Sequence, residues 1–244
     1  MAPKDLNAVY GRHPVVEALR AGVKLERLYI AQGLPASNVI DEIIALAQSH
    51  AVPIERVARR MLAVVSGTEA HQGVAAVAPP YGYADVDLLI KAKTARLILL
   101  DGVTDPSNLG SILRSAEAFG WTGVLVPRNR AVGVTPSVRK VAAGAADRVP
   151  VAQVGSPAEA ILRLQKNGFW VLGLDPSGTV DYREAGIGES KVCLVLGAEG
   201  SGLSRLVKQR CDALALIPMV GELASINVAV AAAVVMVEVT RSDS

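Results

Sequence analysis

The chain has only two cysteines in 244 residues, Cys193 and Cys211, with no CxxC pair and no Cys/His cluster. A disulfide framework and a thiolate zinc site are excluded, and two buried, reduced thiols are expected. Aromatic residues are scarce at 4% of a composition that is 51% hydrophobic. The core must therefore be filled by Ala, Val, Leu and Gly, which suits helices and buried strands packed closely together. Neither sign of charge dominates, the formal net charge being +2. A nucleic-acid partner would have to be met by a local basic face and not by the molecule as a whole. No apolar run reaches membrane-spanning length: the most apolar stretch, Val228 to Val239, follows Asn227 and contains Glu238, so it is predicted to be a buried helix. Met1 to Asp5 has no apolar core of the signal-peptide kind. A cytoplasmic protein without membrane contact is the expectation.

What is present is an alternation of short apolar strands and helical stretches. From Ala8 to Val77, strand-like runs (Leu28 to Ile30, Pro53-Ile54, Gly73 to Val77) alternate with helical ones such as Val39 to Ser49, which reads as a small α/β domain over residues 1–78. The segment Ala78-Pro79-Pro80-Tyr81-Gly82-Tyr83 breaks the periodicity, and residues 79–93 are read as a linker. Over residues 94–244, apolar runs end in turn residues: Leu97 to Leu100, Val124 to Val126, Trp170 to Leu174, Val192 to Leu196 and Leu214 to Ile217. The architecture implied is a largely parallel sheet with helices on both faces, where ligands gather at the C-terminal strand ends.

Three of those ends carry chemistry. The first runs from Asp101 to Ala116 and places Asn108 near a helix start, with Arg114 in the second turn. A phosphate there would meet both the helix dipole and the guanidinium. An ordinary strand-to-helix turn, with Asn or Ser merely as the helix cap and a solvated Arg114, is the alternative. The second, Leu196-Gly197-Ala198-Glu199-Gly200-Ser201-Gly202-Leu203-Ser204, has glycines that let backbone approach a flat ligand closely. Its spacing is not that of the dinucleotide fingerprint. Glu199 would face a sulfonium, a hydroxyl or water. In the third, Ile217 to Ala231, Ser225 and Asn227 fit N-terminal capping of the helix that follows, and also a pocket flanking Ile226.

Taken in order, Asn-x-Gly-x-x-x-Arg, Gly-Ala-Glu-Gly-x-Gly, and Ile-Pro-Met with Ser-Ile-Asn-Val-Ala-x-Ala resemble the SpoU family of RNA ribose 2′-O-methyltransferases. Val138 to Ala146 is similar to the family too. Tyr10 to Leu19 and His71-Gln72-Gly73-Val74 resemble its 23S rRNA guanosine branch, in which the N-terminal domain binds RNA. Ile226 stands where Leu is common, and Ser107 where that branch often has His. The resemblance implies a SPOUT-type domain with a trefoil knot, S-adenosylmethionine as methyl donor, a homodimer, and 23S rRNA as partner. It implies catalytic roles for Asn108, Arg114, Glu199, Ser225 and Asn227. Cofactor contacts are expected from Gly173, Leu196, Gly197, Ile217, Met219 and Ile226. Arg128, Arg130, Arg139 and Lys140 form a sequence cluster that would meet RNA phosphates.

The reaction implied is in-line attack of a ribose 2′-oxygen on a sulfonium methyl, with S-adenosylhomocysteine as leaving group, the hydroxyl proton passing to an RNA phosphate, water or a transiently neutral guanidine, and no metal required. Arginine is effectively always protonated, so Arg114 is expected to stabilise the developing alkoxide and a neighbouring phosphate and not to act as a simple base. Two other readings stand beside this one: methylation of transfer RNA, and a non-catalytic or resistance protein of the same fold.

Overall fold

The apolar runs form strands in the computed structural model, which describes residues 7–185, 190–221 and 225–241. By internal packing the chain divides into two units: residues up to Tyr81 together with Thr135–Lys140, and Gly82–Val134 together with the residues from Val141 onward.

In the first unit four strands, β1 (Ala8–Tyr10), β2 (Arg27–Ala31), β3 (Ile54–Val57) and β4 (Val74–Val77), form a sheet in the order β1-β4-β2-β3. Helices α1 (Arg12–Arg20) and α2 (Asn38–Ser49) pack on each other, and α3 (Arg59–Ser66) packs against β1, β2 and β4. The strands alternate as a two-faced sheet must: Val9, Leu28, Ile30 and Val74 belong to one apolar cluster with α1 and α2, while Ala31, Val57 and Ala75 join Leu62 and Val65 of α3 in another. Gly73, at φ +82°, lies so close to Leu34 that a Cβ would fall 2.5 Å from its Cδ1, which accounts for glycine immediately before β4.

The second unit is built on seven strands: β5 (Ala95–Asp101), β6 (Gly123–Pro127), β7 (Val151–Val154), β8 (Trp170–Leu174), β9 (Val180–Asp181), β10 (Lys191–Gly197) and β11 (Ala213–Leu216). Their order is β7-β6-β5-β10-β8-β11-β9, and every pairing is parallel. Helices α4 (Val86–Lys91), α5 (Pro106–Ala118), α7 (Pro157–Lys166), α8 (Arg205–Arg210) and α9 (Val228–Arg241) belong to this unit, whereas most of α6 (Pro136–Ala142) packs with the first. In chain order α6 lies between α5 and α7. Leu97, Leu99, Cys193 and Val195 face one core with residues of α4, α7 and α8, while Ile98, Leu100 and Leu194 are equally buried on the opposite side. Burial on both faces is why these strands read as continuous apolar runs and not as alternating ones.

Some sequence expectations change. Residues 86–91, read as part of a linker, form α4, and Leu89 and Ile90 sit in the second unit's core. The C-terminal helix is not buried all round: Ala232, Val235, Met236 and Val239 face inward, but Val230 and Val237 are exposed. An all-apolar sequence conceals which side of a helix is covered. Among the described residues no helix is long and apolar enough to cross a membrane.

Both thiols are free; Cys193 is buried and Cys211 partly exposed. Burial, reinforced by the neighbouring Cys211, raises the Cys193 thiol well above its ordinary range. Burial, with help from Asp212 and Asp101, pushes Cys211 up to about 12. Thiolate is the reactive species, so native protein is expected to resist maleimide at neutral pH and to label only in denaturant. Rapid stoichiometric labelling of folded protein would contradict this burial.

Candidate active site

Parallel pairing sets the C-terminal ends of β5, β10, β8 and β11 side by side: Gly197 pairs with Asp101, Leu196 with Leu174, and Ala215 with Leu174. β10 lies between β5 and β8 although it follows both in the chain, so connections leave in opposite directions from this point. A crevice is expected at such a switch. A cavity of about 590 Å³ is found there, lined by the loops after β8, β10 and β11 and by the start of α9.

The loop after β10 is a tight turn closed by two backbone hydrogen bonds, Ala198 N to Gly202 O (3.1 Å) and Gly202 N to Ala198 O (2.9 Å). Gly200 and Gly202 hold left-handed backbone there, at φ +79° and +65°. A Cβ at Gly197 would run into the backbone of Gly202 and Leu203. Asp101 Oδ2 accepts from Ser204 N at 2.7 Å, fastening the far side of the turn to the end of β5. The glycines are therefore required by backbone packing as well as by access for a ligand.

That turn presents Glu199 to two amides. Glu199 Oε1 accepts from Asn108 Nδ2 at 3.0 Å and from Asn227 Nδ2 at 2.8 Å, and Asn227 Nδ2 also donates to Asn108 Oδ1 at 2.8 Å. Asn108 is 5% exposed, so its side chain is committed to this triangle. Asn227 Oδ1 accepts from Ala229 N (2.9 Å) and Val230 N (3.3 Å), which makes Asn227 the N-cap of α9 and a member of the site together. Ser225 is exposed and lines the cavity; its expected capping role falls to Asn227 alone.

Of the cofactor contacts expected from sequence, Leu196, Gly197, Ile217, Met219 and Ile226 line the cavity. Gly173 does not: it lies within β8, where a Cβ would meet Leu214, Cys211 and Leu203. Asp105, not Asn108 or Ser107, caps α5, accepting from Ser107 N at 2.7 Å. The helix thus starts at Pro106, and Arg114 opens its third turn instead of lying in the second. Arg114 is exposed and outside the cavity lining. Arg128 and Arg130 are exposed after β6, but Arg139 and Lys140 belong to the other unit by packing, so the four do not share one body. Arg139 lies 5.4 Å over the Tyr81 ring, and Lys140 pairs with Glu17 at 3.3 Å. Glu222, Leu223 and Ala224 of the third motif lie outside the described residues.

The sequence reading missed a second polar group in the cavity wall. Asp175 is 3% exposed; its Oδ1 accepts from Ser177 N (2.9 Å), Ser177 Oγ (2.5 Å) and Lys208 Nζ (2.8 Å), and its Oδ2 from Leu203 N (3.1 Å). Burial pushes this carboxyl up, but the hydrogen bonds from Lys208, Ser177 and Leu203 outweigh it and hold the group at about 2. The only sequence signal was the Asp-Pro-Ser turn at a strand end.

Residues 95–237 match the SpoU rRNA Methylase family, and residues 8–84 match the RNA 2′-O ribose methyltransferase substrate-binding domain. A Mycolicibacterium vanbaalenii protein named "Uncharacterized tRNA/rRNA methyltransferase" is 42% identical over 97% of this chain and 77% of its own. A Staphylococcus saprophyticus protein named for the TrmH family of tRNA/rRNA methyltransferases is 40% identical, over 96% of this chain and 94% of its own. Among solved structures, the SpoU methyltransferase AviRb from Streptomyces viridochromogenes, in complex with AdoMet, superposes with a TM-score of 0.62 at 27% identity, covering 97% of this chain and 89% of that one. The AdoMet-bound rRNA methyltransferase from Sinorhizobium meliloti shares the fold, with a TM-score of 0.64 at 24% identity over 96% of this chain and 86% of that one.

Replacing Asp175 by Asn would leave Lys208 without its partner, at an expected cost of about 3 kcal/mol, the lower end for breaking a buried pair. A carboxyl lowered by folding stabilises above its unfolded pKa of about 4 and loses that contribution as pH falls towards about 2. Denaturant unfolding should therefore show a wide gap between wild type and Asp175→Asn at neutral pH that narrows in acid. A gap independent of pH would show that the charge is not what matters.

Proposed function

Because the chain belongs to the SpoU rRNA methylase family and is an RNA 2′-O-ribose methyltransferase, we propose that its cavity holds S-adenosylmethionine and that it methylates a guanosine ribose of 23S rRNA. The Asn108–Glu199–Asn227 triangle carries this reading: Glu199 and Asn227 stand in the cavity wall, and three segments far apart in sequence converge on one carboxylate.

The residues fit that cofactor. The cavity is within the ~300–1,000 Å³ range of small-molecule sites. Leu196, Ile217 and Ile226 offer apolar contact and backbone groups to the flat adenine, and at Gly197 there is no room for a side chain. Glu199 supplies negative charge for a sulfonium. When bound, S-adenosylmethionine supplies the electrophilic methyl group. Glu199, gripped by two amides, is held in one orientation; Ser225 and Asn227 present hydrogen-bonding groups that position the ribose hydroxyl, and the buried Asn108 fixes Glu199 and Asn227 from behind. Gly173 instead makes room behind this wall for the side chains of Leu203, Cys211 and Leu214.

Arg114 takes the RNA side. Six residues beyond Asn108 it stands about 9 Å further along α5, exposed and able to meet a phosphate and the developing 2′-alkoxide. Arg128, Arg130, Arg139 and Lys140 supply further phosphate partners. The parallel order, with β10 inserted between β5 and β8, fits the trefoil knot of the SPOUT fold. The exposed Val230 and Val237 on α9 fit a homodimer interface. The protein works in the cytoplasm. The substrate-binding match over residues 8–84 supports an N-terminal RNA-binding domain, and the family match over 95–237, with α4 packed in the second unit's core, supports a methyltransferase domain that takes in residues 86–91 of the expected linker.

Arg114→Ala should lower turnover on RNA by about a hundredfold or more, the scale of losing one transition-state charge partner, with cofactor affinity by calorimetry unchanged. Wild-type turnover would remove Arg114 from the mechanism. Ribose-methylation maps of total RNA with and without the gene should differ at one 23S guanosine; a change confined to transfer RNA would transfer the assignment there.

A further inference from the structure

The first unit's charges are sorted by end. β1 and β2 both run antiparallel to β4, and β3 runs parallel to β2, so the C-terminal ends of β1, β2 and β3 meet the N-terminal end of β4. Arg12, Arg59 and Arg60 lie just beyond those strand ends, and Arg56 is the penultimate residue of β3. Among the described residues none of these four arginines makes an ion pair; Arg12 Nε donates only to Gln72 O, at 3.4 Å. A single carboxylate, Glu69, lies on the turn leading into β4. Arg20 and Arg27, towards the other end of this unit, are neutralised instead: Arg27 pairs with Glu55 at 2.8 Å, and Arg20 with Glu17 and Glu42.

The unpaired charges bring no evident benefit to the fold. Arg59 and Arg60 open α3, where positive charge opposes the helix dipole, and that turn holds no acid and no side-chain cap. The end they occupy is nonetheless firmly built. Gly11 N donates to Val74 O (3.0 Å), Arg12 N to Gln72 Oε1 (3.2 Å), Gln32 N to Val57 O (2.8 Å) and Gly73 N to the buried His71 Nδ1 (3.0 Å). Gln72 is held at φ +54°, a left-handed conformation that a non-glycine residue adopts only where its surroundings impose it. Tyr10, the last residue of β1, is 41% exposed and lies on the face of the sheet that α3 covers. Rigid backbone, uncompensated guanidinium groups and an exposed aromatic ring together are what an RNA strand needs: phosphate partners and a platform for an unstacked base.

We infer that this end of the first unit, with Arg12, Arg56, Arg59, Arg60 and Tyr10, is the surface that grips the phosphate backbone of the RNA substrate. The inference rests on the RNA-methyltransferase reading and adds which face of the N-terminal unit engages the substrate.

Filter binding of the full chain to an unmodified 23S rRNA transcript, across a potassium chloride series, tests it. The Arg59→Gln/Arg60→Gln variant should bind at least about tenfold more weakly. Its slope of log affinity against log salt should be shallower by about 1.5, since each phosphate left unneutralised removes roughly 0.7–0.9. Arg56→Gln should shift both in the same direction by about half as much. Lys24→Gln/Arg27→Gln, which removes equal charge at the other end of β2, should leave the slope unchanged. Wild-type circular dichroism and thermal melting in every variant control for folding of the first unit, and unaltered cofactor affinity does so for the second. Wild-type slope and affinity in the Arg59/Arg60 variant, or an equal loss in the Lys24/Arg27 variant, would overturn the inference while leaving the RNA reading intact. Absence of salt-dependent binding by the wild type would defeat both.

Discussion

One carboxylate oxygen ties the site together. Glu199 Oε1 receives hydrogen bonds from amides on α5 and at the start of α9, while its own backbone belongs to the turn that follows the central strand β10. Each such bond to a charged acceptor contributes only about 1.5–3 kcal/mol, and burying a single Leu or Val contributes as much. The sheet, with every side chain of β10 from Val192 to Leu196 buried, therefore holds the fold, and the triangle sets position. Its geometry is strict because each member is already committed elsewhere: Asn227 caps α9, Asn108 is buried in the first turn of α5, and the Glu199 turn is closed by paired backbone bonds.

The cavity follows from the same constraint. A parallel sheet brings strand ends together, and placing β10 between β5 and β8 puts the glycine turn beside the Asp175 loop. Asp175 then reaches Leu203 N and Lys208 Nζ, fixing the opposite side of that turn. Two carboxylates thus serve different ends: Asp175 is fully engaged by the protein, whereas Glu199 faces the cavity with amides bonded to one oxygen. A buried, fully engaged carboxylate locks structure, and a partly engaged one remains available to a ligand.

Much of this was legible in the sequence, for physical reasons. The strand ends carrying Asp101, Gly197 and Ile217 were visible because strands buried on both faces read as apolar runs broken by turn residues. The members of the triangle lie at those breaks, but it was the resemblance of the three segments together to the SpoU family that singled them out. The Asp175–Lys208 pair was not legible: the two residues are 33 positions apart, and only the parallel neighbourhood of β8 and β10 brings them together. Capping of α5 was misplaced because Asp105, Ser107 and Asn108 are all good caps and sequence does not rank them by geometry. Arg139 and Lys140 follow Arg128 and Arg130 closely in the chain, yet they pack with the other unit. Proximity in sequence says little about shared surface once a chain crosses between bodies.

On the proposed reading, the triangle and its cavity direct methyl transfer to a ribose oxygen. The direct measurement is transfer from methyl-labelled S-adenosylmethionine to unmodified 23S rRNA by the purified chain, followed by alkaline hydrolysis. Alkali cleaves RNA through the free 2′-hydroxyl, so label on that oxygen must appear in an alkali-resistant dinucleotide, and Glu199→Ala should abolish it. Label recovered in ordinary mononucleotides would place the methyl group on a base and contradict the account.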